Sequence, residues 1–158
     1  MSMPDVGDDA PDFTLPDEHG TLHRLADRRG KWTVVYFYPA DDTPGCTTEA
    51  CQFRDVHAEI GGLEAEVWGI SPDGSGSHAA FRTKYSLPFT LLSDEDHAVA
   101  ERYGAWGEKS NYGRTYFGII RSSWIVGPDG KVAAVWPKVK ADGHPAAVLA
   151  ALRELAAR

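Results

Sequence analysis

Residues Thr33 to Tyr38 read TVVYFY, six β-branched or aromatic side chains in a row with no polar alternation. A strand half exposed to water alternates apolar and polar positions, so this run predicts a strand buried on both faces. Such a strand belongs to the centre of a sheet covered by helices. Pro39 ends it, because proline cannot donate to the ladder. The next stretch, ADDTPGCTTEACQFRDVHAEI, has a helix-opening signature, with Asp42 or Thr43 as cap and Pro44 at the first helical position. Its apolar residues Ala50, Phe53, Val56 and Ile60 follow helical spacing.

The rest of the chain continues this alternation. Phe13–Leu15 and Thr21–Leu25 flank a polar turn and read as a short hairpin. Glu66–Ile70 and Phe89–Leu92 read as strands, and Ser77–Tyr85 and Glu95–Tyr103 as helices, the latter capped by Ser93 or Asp94. Residues 104–118 read as irregular. Trp124–Val126 and Val132–Trp136 flank Gly127-Pro128-Asp129-Gly130, a hairpin signal. Pro145–Ala157 is an amphipathic helix opening near Gly143 and His144. The order predicts an α/β class with a mixed central sheet flanked by helices, in one domain over residues 1–158, a size suited to a single core.

Charge and cysteine usage narrow the function classes. A formal net charge of −7 with scattered basic residues gives no electrostatic footprint for nucleic acid. No run approaches the ~18 apolar residues of a membrane helix, and the start, MSMPDVGDDAPDF, lacks the basic and apolar regions of a signal peptide. The expected location is the cytosol. There, Cys46 and Cys51 are expected to be catalytic, redox-sensing or metal-binding rather than a permanent disulfide. Two cysteines supply half of a four-ligand zinc site. The six histidines show no ligand spacing and are expected at the surface.

Cys46 falls in the first turn of the expected helix, where free N–H groups and the helix dipole favour a thiolate. Around it, the Thr43 hydroxyl is placed to bond a peroxide oxygen, Pro39 to shield the sulfur, and the N–H groups of Gly45 and Cys46 to stabilise a developing oxyanion. The product would be a sulfenic acid, which condenses with a thiol. Cys51 lies five residues on. In a helix that spacing separates the Cα atoms by roughly 8.7 Å, beyond the ~4.4–6.8 Å of a disulfide. A bond between them therefore requires unwinding.

At these residues the chain resembles the peroxiredoxins, most closely the bacterioferritin comigratory, or Q-type, group. The family signature P-x-x-x-T/S-x-x-C is met by Pro39, Thr43 and Cys46. DDTPGCTTEACQFRD, GDDAPDFTLPDEHG, VVYFYP and VWPKVKADGH extend the resemblance over nearly the whole chain. It implies a thioredoxin-like fold with an N-terminal β-hairpin extension. It implies Cys46 as peroxidatic and Cys51 as resolving cysteine, Arg121 as the pocket arginine, and Glu49 as a residue orienting its polar neighbours. The family's threonine two residues after the arginine is Ser123 here. The substrate implied is a hydroperoxide and the reductant is thioredoxin or a similar dithiol protein, with no metal or organic cofactor. A resolving cysteine in the same chain removes the chemical need for a dimer, so a monomer is expected. The rival classes are a non-peroxidase dithiol oxidoreductase, which would favour Cys-x-x-Cys, and a holdase-type binding protein with silent cysteines. Trp106, Tyr112, Tyr116 and Phe117 are expected to pack in the core.

Overall fold

A computed structural model describes residues 3–158; Met1 and Ser2, part of the start examined for a leader, lie outside them. The central sheet has five strands. They are β3 (Trp32–Phe37), β4 (Ala65–Ser71), β5 (Thr90–Ser93), β8 (Ser122–Val126) and β9 (Val132–Trp136), in the order β5-β4-β3-β8-β9. Pairing is parallel for β3/β4 and β4/β5 and antiparallel for β3/β8 and β8/β9. The sheet is therefore mixed, with TVVYFY at its centre.

Period-two geometry sorts that strand onto two cores. Val34 and Tyr36 face helix α1 (Pro44–Gly62), α2 (Ser75–Tyr85) and α4 (His144–Ala156), packing with Phe53, Ile60, Phe81, Val148 and Leu152. Val35 and Phe37 face the other way, onto Phe13, Trp68, Tyr103 and Trp124. Each fully buried side chain of this size contributes about 1.5–3 kcal/mol, so this strand anchors both layers. The crossovers β3-α1-β4 and β4-α2-β5 run in the same direction across the sheet. Right-handed connections then place α1 and α2 on one face. The second face is covered by α3 (Ala98–Arg102) and by the hairpin β1 (Thr14–Pro16)/β2 (Leu22–Arg24). No helix among the described residues is long and apolar enough to cross a membrane.

Three expectations change. Residues 104–118 are not irregular: Trp106–Asn111 (β6) and Arg114–Ile119 (β7) form an antiparallel hairpin. Its two-residue turn is Tyr112-Gly113, with φ of 51° and 76°, the backbone of a type I′ turn. Three of six residues in β6 and four of six in β7 are exposed, and neither strand alternates between buried and exposed, so no hydrophobic alternation marks them. Of the aromatics there only Trp106 packs against the core. Tyr112 is 98% exposed, and Tyr116 and Phe117 are also exposed, while Trp106 stacks on His97 with centroids 3.7 Å apart. Finally, α3 is shorter than the nine residues expected. Asp94 does cap it, accepting bonds from the N–H groups of Val99 and Ala100, but His97 sits at φ 50° and stops the helix from starting earlier.

Candidate active site

The strand β3 delivers the chain through Pro39 and a short loop to α1, whose N-cap is Thr43. The Thr43 side chain does not cap the helix; its hydroxyl donates to the Ala40 carbonyl at 2.8 Å. Thr47 N–H reaches the Thr43 carbonyl. Pro44 has no N–H, so the first-turn N–H groups of Gly45 and Cys46 have no helical acceptor and no side-chain cap. They open where the helix dipole is positive.

Cys46 is only 2% exposed and belongs to the apolar cluster of Tyr36, Ala50 and Phe53. Its sequence neighbours Thr47, Thr48 and Glu49 are polar, yet the sulfur is buried among apolar side chains. The reason is register: Cys46, Glu49, Ala50 and Phe53 form the inward face of α1, while Thr43, Pro44 and Thr48 face out. The sulfur keeps one charged partner. Arg121, between β7 and β8, brings Nη2 to 3.3 Å from Sγ, and its Nη1 donates to Glu49 Oε1 at 2.7 Å.

Glu49 is fully buried, and its Oε2 has no partner among the described residues. Burial pushes its carboxyl up to about 7, with the Arg121 guanidinium pulling the other way. Arg121 itself is held protonated. Burial acts against its charge, but Glu49 and Cys46 outweigh that and raise its pKa. Gly45 leaves room for the close approach of this guanidinium: a Cβ there would lie 3.1 Å from Nη2, and the guanidinium would have to give by a few tenths of an ångström.

Six of the seven residues singled out from sequence, Pro39, Thr43, Gly45, Cys46, Glu49 and Arg121, therefore come to one end of the sheet, and Cys51 lies further along α1. It is half-buried and, like Cys46, a free thiol. Pro39 lines the pocket in front of Arg121, together with Lys109, Ile120 and Lys138. Lys109 was not legible in the sequence because it rides on the unrecognised hairpin. Its Nζ donates to the Ile119 carbonyl. Burial, and then repulsion from Arg121, lowers its pKa, against the pull of Cys46.

Two histidines expected at the surface are buried. His144 Nε2 lies 2.7 Å from the Ser123 hydroxyl, and the ring packs edge-on to Phe53 and Trp136. Burial, then the Arg121 charge, lowers its pKa to about 4. His78 is wholly buried behind the loop that precedes α1. No residue spacing marked either, because each is recruited by elements distant in sequence.

A thioredoxin-like sheet that seats a cysteine at a helix N-terminus against a protonated guanidinium defines a thiol-dependent peroxidase. The chain belongs to the AhpC/TSA family, which residues 6–135 match. It is 49% identical over 148 residues to a putative peroxiredoxin, bcp, of Coxiella burnetii, covering 94% of this chain and 98% of the relative. With peroxiredoxin Bcp of Bacillus subtilis it shares 44% identity over 151 residues, 96% of each chain. The solved structure of the bacterioferritin comigratory protein of Xanthomonas campestris superposes with a TM-score of 0.89 at 39% identity, over 96% of this chain and 99% of that one. The protein is thus a peroxiredoxin of the Bcp, or Q, type: an enzyme that reduces hydroperoxides with electrons from a thiol reductant.

Proposed function

We propose that Cys46 is the peroxidatic and Cys51 the resolving cysteine of a single catalytic domain, residues 1–158. The observation that carries this is the 3.3 Å contact between Arg121 Nη2 and the Cys46 sulfur, beside two free N–H groups. The guanidinium and the helix dipole both favour the thiolate. The thiolate attacks the distal oxygen of a hydroperoxide. An S–O bond forms as the O–O bond breaks, and the alkoxide or hydroxide leaves with a proton as alcohol or water. Arg121 and the N–H groups of Gly45 and Cys46 stabilise the charge moving from sulfur to the leaving oxygen. Thr43, which spends its proton on the Ala40 carbonyl, offers lone pairs to the hydroperoxide O–H. Pro39 keeps bulk water from the sulfur, and Glu49 holds Arg121 by its second nitrogen.

Cys51 then displaces the sulfenic hydroxyl, releasing water and leaving a disulfide. At helical spacing the two Cα atoms are roughly 8.7 Å apart, so α1 must open. The segment before Cys51 is the part that gives way. Beyond it, Phe53 is fully buried and stacked on Tyr36, and Gln52 holds the entry to α4 through Asp142 and the Gly143 N–H. Thioredoxin, or a similar dithiol protein, returns the disulfide to two thiols. The Xanthomonas relative is described by its alkyl peroxide reduction, and hydrogen peroxide and alkyl hydroperoxides are the substrates proposed here. The scheme uses no metal or organic cofactor, runs within a monomer, and suits the cytosol.

Intact mass after one equivalent of hydrogen peroxide tests the reading. The wild type should lose about two mass units, and Cys51→Ser should gain one oxygen on Cys46. No change in either protein would remove both cysteines from the mechanism. Reduction of the oxidised wild type by thioredoxin, followed by loss of NADPH in the presence of thioredoxin reductase, tests the partner.

A further inference from the structure

The loop between Pro39 and Thr43 is held by an arrangement that the peroxidase chemistry does not itself use. The Asp41 and His78 side chains are 3% and 0% exposed, with Oδ2 and Nδ1 2.7 Å apart. His78 Nε2 lies 3.0 Å from the Leu92 carbonyl on β5. The two ring nitrogens thus bridge the loop carboxylate and the β5 carbonyl. The same carboxylate accepts from the Tyr38 hydroxyl at 2.5 Å and the Ser77 hydroxyl at 2.8 Å. The Asp41 N–H donates to Asp73, which Ser71 also bonds. Asp42, at φ 55°, is held by Lys84 and Tyr85 at the far end of α2. Helix α2 thus grips the loop that leads into the first turn of α1.

On the reading that Cys46 and Cys51 form a disulfide, that first turn has two states. It is wound when Cys46 meets peroxide and opened when Cys46 reaches Cys51. Each bond to Asp41 exists in the wound state and is available to be lost in the opened one. We infer that the buried Asp41–His78 pair, with the Ser77 and Tyr38 hydroxyls on its carboxylate, is a latch that sets the balance between the peroxide-reactive and disulfide-forming states of this loop. Asp41 and His78 are positioning residues: neither touches the sulfur, and both act through the backbone that carries Thr43 and Cys46. A latch has opposite effects on the two steps. Weakening it depopulates the wound pocket and slows oxidation, while easing the opening that precedes disulfide formation.

Rapid-quench intact mass spectrometry of the full chain mixed with hydrogen peroxide reads both steps, as gain of one oxygen and then loss of about two mass units. In His78→Ala and Asp41→Ala, sulfenic acid should form about threefold to tenfold more slowly, the scale of a lost buried hydrogen bond, and disulfide should form faster by a similar factor. Asp41→Asn is the conservative rescue. Its amide donates to Nδ1 of a neutral His78 while its oxygen still accepts from Tyr38, so both rates should stay within about twofold of the wild type. If the alanine variants fail to fold, the comparison rests on Ser77→Ala, which removes one hydroxyl at the rim and should move both rates the same way by about twofold. Rates that fall together, or neither changing, would overturn the latch, as would Asp41→Asn behaving like Asp41→Ala. A wild type that never loses two mass units would instead sink the disulfide reading, and the latch with it.

Discussion

Arg121 Nη2 lies 3.3 Å from Cys46 Sγ, the one cation in hydrogen-bond contact with the sulfur among the described residues. Arg121→Ala should lower kcat/KM for hydrogen peroxide by about a hundredfold to a thousandfold, the scale seen when one oxyanion donor is removed. Alkylation of Cys46 by iodoacetamide near neutral pH should slow as well, since the positive charge beside the sulfur is gone. Arg121→Lys should recover part of the rate. An ammonium is a single point donor and cannot hold Glu49 and the sulfur in one plane. Unchanged alkylation in the alanine variant would remove Arg121 from thiolate stabilisation.

Gly45 should matter to turnover although its backbone is ordinary helix. The Cβ of an alanine would sit 3.1 Å from Nη2 and 3.8 Å from Cζ of Arg121, so the guanidinium must move. The give required is a few tenths of an ångström, against the roughly hundredfold loss in rate that a displacement near 1 Å can cause. Gly45→Ala should therefore fold and melt close to the wild type yet turn over about threefold to tenfold more slowly. Wild-type kcat/KM in a folded alanine variant would refute this.

Glu49 should write a slope into stability against pH. Its folded pKa, raised to about 7 by burial, lies above an unfolded value of about 4.3. Its contribution is then fully present below the unfolded value and is lost as pH rises toward 7. The loss is on the order of 4 kcal/mol at about 1.36 kcal/mol per unit. Glu49→Gln should flatten that part of the curve. Urea unfolding at pH 4.5 and pH 8 for both proteins checks it, and equal slopes would count against a raised Glu49.

His144 slopes the other way. Its pKa, lowered to about 4, lies below an unfolded value of about 6.5. Its contribution is present above 6.5 and lost as pH falls through 4. The ring proton signal of His144 in an NMR titration, assigned by comparison with His144→Asn, should move with a midpoint near 4. A midpoint near the ordinary 6.5 would show that the ring is not desolvated as the packing against Phe53 and Trp136 implies.

Much of the architecture was readable because local chemistry and global fold agree. TVVYFY, the Thr43-Pro44 helix start and the amphipathic tail each encode one element, and the structure places all three within a residue or two of expectation. The β6/β7 hairpin was not readable. Its faces are mostly wet, and its turn begins with Tyr112 rather than the asparagine, aspartate or glycine that usually accepts φ > 0. Lys109 was missed with it.

The sequence by itself determined where the two thiols sit. Cys46 falls in the first turn of a helix after a buried strand, among free N–H groups that the local residues dictate, and Cys51 is placed on the same helix by spacing alone. Only the tertiary structure decided what surrounds them. Arg121 comes 75 residues after Cys46 and reaches it because β8 pairs with β3. His78 meets Asp41 across 37 residues because β4 and α2 follow β3 and α1 on the same face. The depth of burial that lifts Glu49 and lowers His144 likewise belongs to no single segment. Desolvation and charge–charge contact depend on distance in space, and distance along the chain does not report it.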